Sequence, residues 1–309
     1  RLPGRAYHLL LGLKDSAVRE VLRLMGPRVL GAAVVQLNFV ANTIIALGQP
    51  EGSVSAITLA FALMLMPQMA IAQSAAIASL PTFSAQVAKG KFDEMRASLA
   101  ATLRVVLLLA IPASLGLVLL RVPLVQVLYQ RGQFDSRSTQ MVAWALLWYA
   151  AGLVGHALVE ILSRAFYALH DTRTPVRVGV LTMGLNIGLS ILFSVLFVRL
   201  GWMPHGGLAL ANSLSTALES AALLLLMRKR LSGLQGRQIW IGVGQALLAT
   251  GLMSLAILLW QALIGGRSAL LVLSGGLLLG LFVYTLLLWL LKVPELRRLL
   301  QVLKDKIKK

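Results

Sequence analysis

Eight apolar stretches run one after another along this chain, each long enough to cross the ~30 Å hydrocarbon core of a bilayer. They fall at about 25–48, 53–80, 101–121, 139–163, 178–198, 206–227, 238–263 and 268–291. Breakers and charges set the cuts. Gly48-Gln49-Pro50-Glu51-Gly52 parts the first two, Lys89-Gly90-Lys91 follows the second, and Gly-Gly pairs stand at 206–207 and 265–266. Thr174-Pro175 reads as an N-cap and first helical residue ahead of the fifth. Only helices satisfy every backbone group over such lengths in lipid, so the fold class is all-α, a polytopic transmembrane helical bundle of about eight spans.

Charge supports that count. Placing both termini on one side leaves five of the 29 basic residues opposite, namely Arg121, Arg131, Arg137, Arg199 and Arg267, and puts the other 24 on the terminal side. A missed span would scramble this partition, so the termini are expected to be cytoplasmic. The net charge of +18 therefore reflects membrane topology. No soluble basic domain is left to bind nucleic acid. Trp202, Trp240, Trp260 and Trp289 lie near span ends, where an indole suits the headgroup layer or packs between helices. The tail from Pro294 to Lys309 reads as a basic amphipathic segment on anionic membrane lipids.

Chemistry-bearing clusters are few. Cysteine is absent, which excludes disulfides and thiolate metal sites, and His8, His156, His170 and His205 lack metal-ligand spacing. No paired carboxylates or nucleophile–base pair suggest an enzyme. Arg1 is no start methionine, and the run Leu9–Leu13 is too short for a signal peptide, so a processed chain or a piece of a longer one is expected.

Several segments carry a family resemblance. They are Met25-Gly26-Pro27-Arg28-Val29-Leu30-Gly31, Gln36-Leu37-Asn38 with Asn42-Thr43, Gly52-Ser53-Val54-Ser55, and Leu80-Pro81-Thr82-Phe83-Ser84. Further on come Leu128-Tyr129-Gln130-Arg131-Gly132-Gln133-Phe134, Arg164 to Val176 (RAFYALHDTRTPV), and Gly207-Leu208-Ala209-Leu210-Ala211-Asn212-Ser213. In this order they resemble the MurJ (MviN) lipid II flippases of the MOP exporter superfamily. The resemblance implies two lobes of a roughly fourteen-span transporter followed by two extra helices. This chain aligns with the second lobe and that pair. The implied organisation is an N-terminal segment 1–24, a six-helix lobe 25–230, two further helices 231–292 and a basic tail 293–309. The implied activity is movement of undecaprenyl-pyrophosphate-linked peptidoglycan precursor to the periplasmic leaflet by alternating access, with a missing N-terminal lobe or second subunit as partner. The alternatives are a non-transporting scaffold for wall synthesis, or a flippase for another polyprenyl-linked glycan.

Polar side chains at bilayer depth are site candidates by default. Asn38 and Asn42 share a face at i and i+4, as do Asn186 and Ser190. By resemblance, Asn42, Asn186, Ser190, the Leu208 carbonyl and Asn212 stand where relatives can hold sodium. Asn42 and Ser190 replace carboxylates there, so any sodium site is expected to be weak, with interhelical hydrogen bonding as the other reading. Phe61 and Ala62 occupy the positions where the family carries an Asp-Arg pair that contacts the lipid's pyrophosphate. Asn38, Asn42, Arg28 and Glu219 are the cavity candidates. Arg28 and Arg104 are expected to snorkel to the interface, and Glu160 to pair with Arg164. Glu219 has no base within two turns and is a candidate proton- or ion-linked group, or an interhelical hydrogen bonder. Asn42, Asn186, Ser190 and Glu219 are expected to form a polar wall facing an absent partner.

Overall fold

The computed structural model describes Val18 and residues 36–295, and these fold into helices. In chain order they are α1 (Gln36–Leu47), α2 (Ser53–Gln68), α3 (Ser74–Ala88), α4 (Phe92–Tyr129), α5 (Ser136–Ala151), α6 (Leu153–Ala168), α7 (Arg173–Arg199), α8 (His205–Arg230), α9 (Gly236–Ile264) and α10 (Ala269–Leu290). A π-helical turn, Met69–Gln73, joins α2 to α3. Among the described residues six helical spans are long and apolar enough to cross a membrane, or seven if α5 and α6 count as one. The first expected span is described only from Gln36, so α1 is its visible part. Arg28, the segment 1–24 apart from Val18, and the tail beyond residue 295 lie outside the described residues.

Helix α4 runs well past its expected ends at 101 and 121. Its 38 residues would extend about 57 Å at 1.5 Å per residue, so it projects beyond the hydrocarbon. The projecting first turn carries Asp93 and Glu94, which suit a helix N-terminus and pair with Arg96 and Lys91 respectively.

The expected continuous span 139–163 is instead broken. Helices α5 and α6 meet at Gly152 with a 46° bend. The cause is an approach by α8. A Cβ on Gly152 would lie 2.4 Å from Ser213 Oγ, and that hydroxyl donates to the Trp148 carbonyl at 2.7 Å. Only glycine admits α8 so closely, and the serine occupies one carbonyl exposed by the bend. Ser114 of α4 serves another, donating to the Ala150 carbonyl at 2.6 Å.

Three apolar clusters hold the bundle. The first joins α1, α2, α5 and α8 around Ala60, Met64, Leu146 and Leu208, and the second joins α3, α4, α6 and α8 around Phe83, Leu103, Ile161 and Leu223. The third joins α4 to α9 and α10 around Leu120, Ala249, Ile257 and Tyr284. Trp240 and Trp289 are largely exposed, at 74% and 58%. Trp260 packs over Gly275, and Trp202 joins Trp144, Trp148 and Phe197 in an aromatic cluster.

The turn 169–172 corrects one expected cap. Helix α7 begins at Arg173, and the capping group is Asp171, whose carboxylate accepts from the Thr174 N–H at 3.0 Å and its hydroxyl at 2.7 Å. The chain reaches this cap through His170 in the left-handed region, φ 57°, with Asp171 N–H returning to the Phe166 carbonyl.

Helix α4 contains Pro112 and Pro123, each of which withholds an N–H from the carbonyl four residues earlier. Those carbonyls belong to Leu108 and Leu119. Tyr284 of α10 donates its hydroxyl to the Leu108 carbonyl, and Gln261 of α9 donates to the Leu119 carbonyl at 2.9 Å.

Candidate functional site

Helix α7 presents Thr182, Asn186, Ser190 and Ser194, four polar residues at successive i+4 positions, hence one stripe down the helix. Helix α1 meets its middle. Asn42 Nδ2 donates to Asn186 Oδ1 at 3.0 Å and to Asn38 Oδ1 at 2.7 Å, while Ser190 Oγ donates to Asn42 Oδ1 at 3.0 Å. Beyond α1, Gln49 Nε2 donates to Ser194 Oγ at 3.0 Å. At the opposite end Thr182 Oγ1 lies 3.3 Å from Glu219 Oε2 of α8. Asn38, Asn42, Asn186 and Ser190 are thus brought together, and Glu219 borders the same stripe.

This arrangement revises the expected exposed wall. Asn186 and Ser190 are 2% and 0% exposed, turned toward α1. Apolar side chains, Leu37, Phe39, Val40, Ile44 and Leu47, take the outer positions of α1 instead. A buried amide in a membrane is stabilised by partners inside its own bundle, and here they exist.

Leu208 and Asn212 make other contacts. Leu208 is fully buried in the first apolar cluster. Asn212 Oδ1 lies 3.0 Å from His156 Nε2 of α6, with Thr216 Oγ1 at 3.5 Å from the same nitrogen. Phe61 stands edge-on to Tyr149, with centroids 5.2 Å apart, and 6.1 Å from the His156 ring. The Asn42 cluster is knit together by its own hydrogen bonds. The side-chain oxygens of Asn38, Asn42 and Asn186 each accept a protein hydrogen bond, and among the described residues no carboxylate joins them. Asn186 Nδ2 is buried with no protein partner among the described residues, and it is a donor, not a cation ligand.

Arg104 does not snorkel. Its Nε lies 2.9 Å from Glu295 Oε1 and its Nη2 donates to Gln245 Oε1 at 3.0 Å, both groups being mostly buried. Its stem fills the notch at Gly242 of α9, where a Cβ would stand 2.6 Å from Arg104 Cγ. Glu160 and Arg164 pair at 3.0 Å, as their i, i+4 spacing requires.

Sequence reasoning missed His156, Gln49 and Thr182. The four-residue rhythm of the α7 stripe was available as a signal for Thr182. The partners of His156 and Gln49 depend on the bend at Gly152 and the α1–α2 turn.

The fold agrees with what the chain is similar to. A solved structure of a lipid II flippase MurJ in an inward closed conformation superposes with a TM-score of 0.73 at 22% identity, over 93% of this chain and 56% of that one. A MOP superfamily transporter from Pyrococcus furiosus superposes with a TM-score of 0.60 at 16% identity, over 87% and 64% of the two chains. At such identity these likenesses speak for the fold alone. In sequence, the Burkholderia cenocepacia lipid II flippase MurJ is 36% identical over 250 residues, and the probable lipid II flippase MurJ of Vibrio cholerae is 32% identical over 253. These matches take in 79% and 81% of this chain but 47% and 46% of the relatives, so the chain spans about half their length. A sequence profile of the family described as lipid II flippase MurJ matches residues 3–274, nearly the whole chain, and the chain is therefore a multi-pass membrane protein belonging to the MurJ family.

Proposed function

We propose that this chain forms one lobe of a lipid II flippase and moves undecaprenyl-pyrophosphate-linked precursor across the inner membrane together with a second body. The observation that carries the reading is the family match over residues 3–274, joined to a fold that follows a solved flippase over 93% of the chain. Alternating access needs two bodies rocking about a shared site, and the chain supplies about half the length of its relatives. Both termini face the cytoplasm in this reading, as the distribution of basic residues favours. The pyrophosphate is held mainly by cationic groups of the other body, because Phe61 is packed against aromatic neighbours and Ala62 is apolar. Sodium has no coupling role at the Asn42 cluster.

That same packing of Phe61 favours a second reading, a scaffold for wall synthesis that binds partners without transport. Complementation separates the two. Cells depleted of their own flippase receive this chain together with the N-terminal half of the Burkholderia cenocepacia relative. Restored growth supports transport. Correct membrane insertion of both pieces without rescue, while the intact relative does rescue, removes the transport reading and leaves the scaffold.

A further inference from the structure

We infer that α4 is a docking rail whose two proline-released carbonyls fasten α9 and α10 to the lobe, so that the pair moves with the lobe as one rigid body. Two side-chain hydrogen bonds from α9 and α10 reach the α4 backbone, and both fall on carbonyls that prolines set free. Tyr284 takes Leu108, four residues before Pro112, and Gln261 takes Leu119, four before Pro123.

The physical logic is one of obligation. In hydrocarbon a bare carbonyl costs several kcal/mol, because no water stands in for the missing donor. Each proline therefore creates an acceptor on α4, and here a side chain from a neighbouring helix fills it. The two acceptors are 11 residues apart, about 16 Å along the helix axis, so they fix the pair at two heights. A third fastening lies nearer the basic end, where Arg104 joins Gln245 of α9 and Glu295 just beyond α10. The chain turns back to deliver Glu295 through Lys292, φ 53°, with Val293 N–H bonded to the Leu288 carbonyl. Gly276 and Gly280 of α10 approach Leu120 and Ile257, where a Cβ would stand 2.8 Å and 3.0 Å from side-chain carbons. Three polar fastenings with close packing between them leave no hinge between the pair and α4. The pair is a fixed extension of the lobe, and any lipid chain lying against it travels with that lobe.

The inference does not depend on which cargo is moved, and a mutant cycle tests its chemical core. Tyr284→Phe removes one donor and should lower the melting temperature of the full chain in detergent. Pro112→Ala gives the Leu108 carbonyl an intrahelical N–H, so in that background Tyr284→Phe should cost less than half as much. Additive effects would show that Tyr284 acts by packing and would overturn the docking argument. A second measurement stands even if Pro112→Ala misfolds. The chain has no cysteine, so spin labels at Leu115 of α4 and Leu278 of α10 report one distance. A single narrow distribution, broadened by Tyr284→Phe with Gln261→Leu, is expected. A broad or two-peaked distribution in the unmodified chain, or one indifferent to the double substitution, would contradict rigid attachment.

Discussion

Two long helical stretches carry the same local defect and answer it differently. Ser53–Ala88 and Phe92–Tyr129 each contain two prolines, Pro67 and Pro81 in the first, Pro112 and Pro123 in the second. On α4 both released carbonyls receive a side-chain donor from α9 or α10. Among the described residues no side chain from another helix donates to Leu63 or Ile77, the carbonyls four before Pro67 and Pro81. There the backbone instead widens into the π turn at Met69–Gln73 directly after Pro67. A proline in a membrane helix thus has no fixed meaning. With a donor opposite, it bolts two helices together. Without one, it leaves a place where the helix can bend. The outward side of this softer helix carries Met66 and Met69, 60% and 53% exposed, whose flexible side chains suit a surface that changes neighbours.

The largest expected effect falls on the bolted side. Glu295→Ala leaves Arg104 mostly buried with its charge unpaired, which costs about 3 kcal/mol by the usual behaviour of buried pairs. Thermal unfolding of the purified chain measures it, and a loss below the assay error would place the pair in water. Next comes the contrast between prolines. Pro67→Ala restores a helix hydrogen bond that no side chain among the described residues replaces, and should stabilise by about 2 kcal/mol, within the ~3 kcal/mol cost of an internal proline. Pro112→Ala should gain clearly less, because Tyr284 already serves the carbonyl. Equal gains would erase the distinction between the two stretches.

Smaller effects probe the turns and the polar seam. Asp171→Asn should cost about 1 kcal/mol, the scale of a helix cap. Partial burial pushes the Asp171 carboxyl up, but the Thr174 hydroxyl and N–H and the nearby Arg230 outweigh it and hold it below the usual range. A depressed carboxyl contributes stability that is present above its unfolded value and lost as pH falls through its folded one. Acid should therefore narrow the gap between wild type and Asp171→Asn, and a gap constant down to pH 3 would argue against the cap. Asn186→Ala should cost least, about 0.6 kcal/mol, as interhelical hydrogen bonds in membranes do. Sodium titration should leave its melting temperature and that of the wild type equally unmoved. A sodium-dependent rise lost only in Asn186→Ala would restore ion binding at the seam.

Much of this architecture was legible in the sequence because its causes are local. Apolar runs and breakers located the membrane helices, and i, i+4 spacing brought Asn38 with Asn42 and Glu160 with Arg164. What was hidden is tertiary. The bend at Gly152 exists because Ser213 of α8 approaches it, and no pattern within residues 139–163 announces that contact. Arg104 read as an interfacial cation until Gly242 and Glu295, over a hundred residues away, supplied its notch and its counter-charge. Asn42 and Asn186 were recognisable as polar groups needing partners, yet spacing alone did not say that they would find each other and close the seam inward.

The most direct test of the account is flipping itself. Residues 1–309 are reconstituted into liposomes with labelled lipid II, alone and with the N-terminal half of a relative. The account predicts protein-free background for the chain alone and flipping above it for the pair. Flipping by a demonstrated monomer of this chain would contradict the two-body mechanism, and inactivity of a correctly assembled pair would contradict the transport reading.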